Sequence, residues 1–182
     1  MLINMLYIYT GGGKGKTTAA LGTLIRAHGA GKTCAIVFFD KNSDYCNEFK
    51  TLKQLGIEAH IFGQNRIFSS PFQGEIRGGF RLSNNEDDLQ QAQNALNKAK
   101  ELVDKSDVLI LDELLNSIRL NQITLQDALN FIDNFPKEKF LVLTGRGLPK
   151  EIAERANLIS EIKNIKHPFD RLKSVAVPGI EY

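Results

Sequence analysis

Nothing in this chain constrains its fold more than the stretch Thr10-Gly11-Gly12-Gly13-Lys14-Gly15-Lys16-Thr17-Thr18. A short apolar, β-prone run, Leu6-Tyr7-Ile8-Tyr9, precedes it, and Ala19 to Ala27 reads as a helix after it. Strand, glycine loop and helix in that order form the context of a phosphate-binding loop. Glycines let successive backbone N–H groups turn toward an anion, and the helix N-terminus adds positive partial charge. Lys16 brings an ammonium to the phosphates, and the Thr17 hydroxyl is a candidate Mg²⁺ ligand. The usual pattern G-x-x-x-x-G-K-S/T places glycine at position 10, where this chain has Thr10; its glycines stand at 11, 12 and 13. The turn therefore opens one residue late, with a second lysine, Lys14, inside it.

A second motif matches the first. Asp107-Val108-Leu109-Ile110-Leu111-Asp112-Glu113 is an apolar strand ending in two carboxylates, the pattern in which an acidic side chain holds the Mg²⁺ bridging nucleotide phosphates. Asp112 and Glu113 join Thr17 as candidate metal ligands. Short apolar runs at 34–39, 57–62, 140–144 and 158–162 read as further strands, and helical spacing appears at 17–29, 47–55, 124–134 and 149–156. Ser83-Asn84-Asn85-Glu86 has capping-box spacing, and Leu89, Ala92, Leu96, Ala99 and Val103 carry the longest helix to Lys105. The alternation predicts an α/β, three-layer P-loop NTPase-like fold, with a mainly parallel sheet covered by helices on both faces. Ligands of such sheets lie beyond the carboxyl ends of the strands. The motifs all fall on that edge, as do the polar cluster Asp40-Lys41-Asn42-Ser43-Asp44 and Gly145-Arg146-Gly147, where Arg146 is placed to meet an anion.

Between 63 and 83 no period survives, and Phe68, Phe72 and Phe80 mix with arginines and glycines, which suits a loop covering a large flat ligand. The tail from 164 to 182 has no period either. A length of 182 residues suits a single domain with its own core. The net charge of +2, with basic residues scattered, argues against a nucleic-acid partner. Cys34 and Cys46 form no metal-binding or redox spacing and read as reduced thiols. No signal peptide is recognisable, and no apolar run approaches the roughly 20 residues of a membrane span. The expected location is the cytoplasm. No guanine-reading Asn-Lys-x-Asp motif is present, which favours ATP over GTP.

The chain resembles the P-loop ATP:corrinoid adenosyltransferases, also called cob(I)alamin or cob(I)yrinic acid a,c-diamide adenosyltransferases. The resemblance is carried by Thr10-Gly11-x-Gly13-Lys14-Gly15-Lys16-Thr17-Thr18-Ala19-Ala20, Arg26-Ala27-x-Gly29-x-Gly31, Leu111-Asp112-Glu113, Thr144-Gly145-Arg146-Gly147-x-Pro149, Lys166-His167-Pro168-Phe169 and Gly179-Ile180-Glu181-Tyr182. The family's loop itself lacks the first glycine of the usual pattern. The resemblance implies transfer of the 5′-deoxyadenosyl group of ATP to a Co(I) corrinoid with release of triphosphate. Cobalt is then the nucleophile, ATP lies reversed relative to ordinary P-loop enzymes, and the protein orients, stabilises charge and excludes water. Residues 11–18 with Mg²⁺ would hold the leaving group, and Lys16, Thr17, Glu113 and Arg146 would carry the catalytic roles. A homodimer and a separate cobalt-reducing electron donor are also implied.

Two departures stand out. Where the family has Gly-Phe-Thr-Trp against the corrin face, this chain has Gly79-Phe80-Arg81-Leu82 and no tryptophan anywhere. Phe80 is kept and Leu82 replaces the indole, so the expected wedge is weaker and a corrinoid without a bound lower base is the expected substrate. The family's Ala-Asp is Ala156-Asn157, which removes a carboxylate. Two other readings use the same nucleotide site: a kinase or ATPase that releases ADP, and an ATP-dependent corrinoid-binding protein without turnover.

Overall fold

The computed structural model describes residues 5–41, 46–63, 67–69, 78–80, 84–166 and 179–180. Six strands form one sheet: β1 (Met5–Thr10), β2 (Cys34–Phe38), β3 (Glu58–Ile61), β6 (Val108–Asp112), β7 (Phe140–Gly145) and β8 (Leu158–Glu161). A separate antiparallel pair joins β4 (Ile67–Ser69) to β5 (Gly78–Phe80). The helices are α1 (Lys16–Gly29), α2 (Asn47–Gln54), α3 (Glu86–Leu102), α4 (Leu114–Arg119), α5 (Leu125–Asp133) and α6 (Lys150–Ala153).

Strand order in the main sheet is β3-β2-β6-β7-β1-β8, and every pairing is parallel. β2 and β6 are buried along their whole length, which explains their unbroken apolar sequences: a strand covered on both faces has no solvent side to alternate with. Alternate side chains feed two cores. On one face Val37, Phe39, Leu109, Leu111 and Leu143 pack against α3, α4 and α5, and on the other Ile36, Phe38, Ile110 and Val142 pack against α1 and α2. This is the expected three-layer arrangement. α3 seats Ala92, Ala95, Leu96, Ala99 and Leu102 on the first face, with Leu96 and Leu102 almost wholly inaccessible. Each of those leucines contributes about 1.5–3 kcal/mol by leaving water.

Several local expectations change. The cap of α3 lies two residues beyond Ser83: the Asn85 side chain accepts from the Asp88 N–H, and the Asp88 carboxylate accepts from the Asn85 N–H. Leu89, expected on the core face, is exposed because the observed helix turns Ala92 and Leu96 inward instead. α6 is shorter than 149–156, with Pro149 as its N-cap. The aperiodic stretch 63–83 holds the β4–β5 pair, whose three residues per strand are too few to show a period. α4 has no counterpart in the sequence reading. Most of the 164–182 tail lies outside the described residues. Both cysteines are free and buried. Among the described residues no helix is long and apolar enough to cross a membrane.

Candidate active site

The glycine loop leaves β1 between β7 and β8 and enters α1 at Lys16. Its glycines have different reasons for being there. A Cβ on Gly11 would lie 2.3 Å from the Ile162 carbonyl oxygen, and one on Gly13 would lie 2.8 Å from it. Gly12 and Gly15 meet open space, although Gly15 has φ near +109°, which a side chain rarely tolerates. The Gly13 N–H donates to the Ile162 carbonyl at 2.8 Å, and the Lys14 N–H donates to Asn164 Oδ1 at 3.3 Å. Two loop donors therefore face the chain that follows β8. The Lys16 ammonium folds back onto the Gly13 carbonyl at 2.8 Å. Burial pulls the Lys16 pKa below its ordinary value, while the nearby Glu113 carboxylate acts in the opposite sense.

Beside the loop stands a buried acid. Asp112, at the end of β6, is 0% exposed, so its charge depends entirely on protein partners. Thr144, on the neighbouring β7, donates its hydroxyl to Asp112 Oδ1 at 2.7 Å and accepts the Glu113 N–H at 2.8 Å. Thr17 donates to Asp112 Oδ2 at 3.3 Å. Lys41, just past β2, pairs with the same oxygen at 2.7 Å and reaches Thr17 Oγ1 at 3.2 Å. Burial opposes the Lys41 charge, but the charge and hydrogen bond of Asp112 outweigh it and raise the Lys41 pKa. The backbone at Glu113 is left-handed, with φ of 63°, where β6 turns into α4. Glu113 Oε2 is buried without a partner, and burial, then the neighbouring Asp112, push its pKa up.

These groups share a cleft of about 510 Å³. Its wall includes Gly13 to Thr18, Lys41, Glu48, Glu113 and Arg146, and Gly179 and Ile180 of the tail reach it as well. Lys14, Gly15, Lys16, Thr17, Thr18, Glu113 and Arg146 are thus brought together as the sequence suggests, with Asp112 beneath them. Gly11 and Gly12 stand outside the wall. The Arg146 N–H is held by Asn116 Oδ1 at 2.8 Å, and Gly145 packs so closely on α4 that a Cβ would come within 2.8 Å of the Asn116 nitrogen. Only the backbone of Phe80 is described, in β5, and Leu82 lies outside the described residues. Lys41 and Asn116 are participants the sequence reading did not single out, and Thr144 entered it only as part of the Thr144-Gly145-Arg146-Gly147 motif, with no role of its own. The one signal for Lys41 was its place in a polar cluster at a strand's carboxyl end.

Oxygen donors suit Mg²⁺, and the set here fits it. Thr17 Oγ1 and Asp112 Oδ2 converge on a position already taken by a cationic nitrogen, and Glu113, whose buried Oε2 has no hydrogen-bond partner, lines the same cleft. Asn157, the second departure, has a structural part: its Oδ1 accepts the Leu6 N–H at 2.7 Å and its own N–H donates to the Leu6 carbonyl at 2.9 Å, fastening β8 to β1. An aspartate oxygen could accept the same bond.

Residues 3–182 match the family described as ATP:corrinoid adenosyltransferase BtuR/CobO/CobP. The chain is 29% identical over 180 residues to a corrinoid adenosyltransferase of Escherichia coli K12, covering 98% of this chain and 85% of that one. A protein of the same description from Salmonella typhimurium shows 29% identity over 180 residues, with 98% and 85% covered. One from a Sinorhizobium species shows 30% identity over 182 residues, with 98% and 80% covered.

Proposed function

The chain belongs to the ATP:corrinoid adenosyltransferase family, and on that premise we propose that it transfers the 5′-deoxyadenosyl group of ATP to the cobalt of a reduced Co(I) corrinoid, releasing triphosphate. The observation that carries this reading is the cleft itself, where Lys16, Thr17, Glu113 and Arg146 surround one space with Asp112 at its floor. In this reaction the Co(I) electron pair forms a bond to C5′ of the ribose. The C5′–O bond breaks and its pair leaves on the triphosphate oxygen. Cobalt is the substrate's own nucleophile, so no side chain needs to remove a proton.

Charge on the departing triphosphate is what the protein must stabilise. The Lys16 ammonium, freed from the Gly13 carbonyl, and the Arg146 guanidinium are the cationic groups for it, and Gly15, Lys16, Thr17 and Thr18, which line the same cleft at the start of α1, would add the N–H groups of a helix N-terminus. Asn116 fixes the backbone that carries Arg146. Thr17 and Asp112, with Glu113, would hold Mg²⁺. Bound there, the metal would neutralise phosphate charge as a Lewis acid. Thr144 keeps Asp112 and the Glu113 backbone in place.

Phe80 and Leu82 remain the candidate corrin-contacting pair, with a base-free corrinoid as preferred substrate; equal turnover of cobalamin and a base-free corrinoid would count against that preference. A homodimer acting in the cytoplasm with a separate reductant completes the proposal. The test is anaerobic incubation with MgATP and a chemically reduced corrinoid. Light-sensitive adenosylcorrinoid together with inorganic triphosphate is the expected result. ADP and phosphate without a cobalt–carbon bond would replace this reading with a kinase or ATPase.

A further inference from the structure

We propose that Lys41 is the resident cation of the metal position: without metal its ammonium neutralises Asp112, and the incoming divalent ion displaces it toward Glu48, a proposal that rests on the magnesium-bound polyphosphate reading above. Asp112 is wholly buried, and a buried carboxylate left without a countercharge is costly. Lys41 Nζ supplies that charge at 2.7 Å from Oδ2 while also lying 3.2 Å from Thr17 Oγ1. Those two oxygens are the ones a magnesium ion would need. A hydrogen-bonded ammonium and a metal cannot share them, so occupancy is exclusive.

The surrounding backbone is built to deliver this side chain. Asp40 adopts φ of 51°, a left-handed conformation uncommon outside glycine, and so turns the chain as it leaves β2. The Lys41 N–H then donates to the Phe62 carbonyl at 3.1 Å. Gly63 lies against Lys41 so tightly that a Cβ there would be 2.6 Å from the Lys41 nitrogen. The parallel register sets Phe38 beside Asp112, which brings the end of β2 next to the acid. With the backbone clamped, only the flexible four-carbon stem is left to move. An alternative partner stands within reach, because Glu48 Oε1 is 3.8 Å from Nζ and lines the same cleft. The side chain is 24% exposed, which leaves room for that swing. In this role Lys41 is a positioning residue: it offsets the charge of Asp112 and holds the side chain in place until the metal arrives.

The probe is Mn²⁺ alone, followed by electron paramagnetic resonance, together with thermal melting with and without the ion. Neither ATP nor corrinoid is present, so an absence of deoxyadenosyl transfer has no bearing on the outcome. Removing the competing charge in Lys41→Met should tighten Mn²⁺ binding about tenfold or more, since the ammonium no longer contests the Asp112 and Thr17 oxygens or repels the incoming ion at close range. The same variant should melt lower than wild type without metal and gain more from Mn²⁺ than wild type does. Glu48→Gln, which leaves the Lys41–Asp112 pair intact, gives an independent result should Lys41→Met fail to fold. Its melting without metal should match wild type, while its Mn²⁺ binding should weaken several-fold because displaced Lys41 has lost its acceptor. Unchanged or weaker Mn²⁺ binding in Lys41→Met overturns the placeholder role, and unchanged Mn²⁺ binding in Glu48→Gln overturns the exchange toward Glu48.

Discussion

Replacing Thr144 with valine removes one hydroxyl and strands two groups. The Oγ1 donates to Asp112 Oδ1 at 2.7 Å and accepts the Glu113 N–H at 2.8 Å, in surroundings where Thr144 and Asp112 are both 0% exposed. A hydrogen bond to a charged partner is worth about 1.5–3 kcal/mol, and an orphaned buried donor costs about 1–3 kcal/mol, so Thr144→Val should lose about 3–5 kcal/mol. That is a large share of the roughly 5–15 kcal/mol that holds a domain folded. Valine fills nearly the same volume, so the loss reports the hydroxyl and not a cavity. Thr144→Ser keeps the oxygen and gives up one methyl group, for about 0.5–1.5 kcal/mol. Urea unfolding of metal-free, nucleotide-free protein measures both, provided the slope of stability against urea is the same as wild type. If Thr144→Val unfolds within about 1 kcal/mol of wild type, or if Thr144→Ser is as damaged as Thr144→Val, then the Thr144 hydroxyl does not hold the acidic pair.

Three further outcomes are expected. Gly11→Ala should lose about 2–4 kcal/mol, because its Cβ would strike the Ile162 carbonyl at 2.3 Å and its φ is +108°, whereas Gly12→Ala, facing open space, should stay within about 0.5 kcal/mol; urea midpoints separate the two. Asn157→Asp should be nearly silent and Asn157→Leu should cost about 1–3 kcal/mol by stranding the Leu6 N–H, again read from urea midpoints. Asp107 accepts from the Thr33 hydroxyl and backbone N–H, and these bonds hold its pKa below 3.8. A carboxylate depressed in the folded state contributes stability that is complete above 3.8 and disappears as pH falls through the folded value. The stability difference between wild type and Asp107→Asn, followed by unfolding across the acid range, should shrink in that window; a difference that persists at the acid end would contradict the assignment.

What could be read from the sequence was whatever is encoded locally. The strand–loop–helix of residues 5–29 and the apolar run ending at Asp112 and Glu113 carry their own patterns, and the structure brings them to one cleft. The roles of Lys41, Thr144 and Asn116 were not legible, although Thr144 stood in the Thr144-Gly145-Arg146-Gly147 motif, because they arise from which strands lie side by side. Phe38 pairs with Asp112, and Leu111 with Leu143, so β2 delivers Lys41 from one side of β6 and β7 delivers Thr144 from the other. No spacing along the chain contains that adjacency. The glycine loop is a mixed case. Its residue types announced themselves, but the demand at Gly11 and Gly13 comes from Ile162, a contact across about 150 positions that no local turn rule supplies. Leu89 fitted the helical period and is still exposed, since a period fixes a face only to within the width of its stripe.

The bond from Gly13 to the Ile162 carbonyl also bears on how the molecule is assembled over time. The glycine loop precedes Ile162 by about 150 positions, so its shape depends on a segment synthesised far later, and β1 lies between β7 and β8. During vectorial synthesis β1 and α1 must therefore wait without their sheet neighbours, and long-range parallel pairing is intrinsically slow. On the proposed reading, nucleotide has no finished cradle to bind until β8 docks. ATP is thus expected to recognise the completed sheet and to give little help to the nascent chain, so that folding and cofactor loading proceed in sequence.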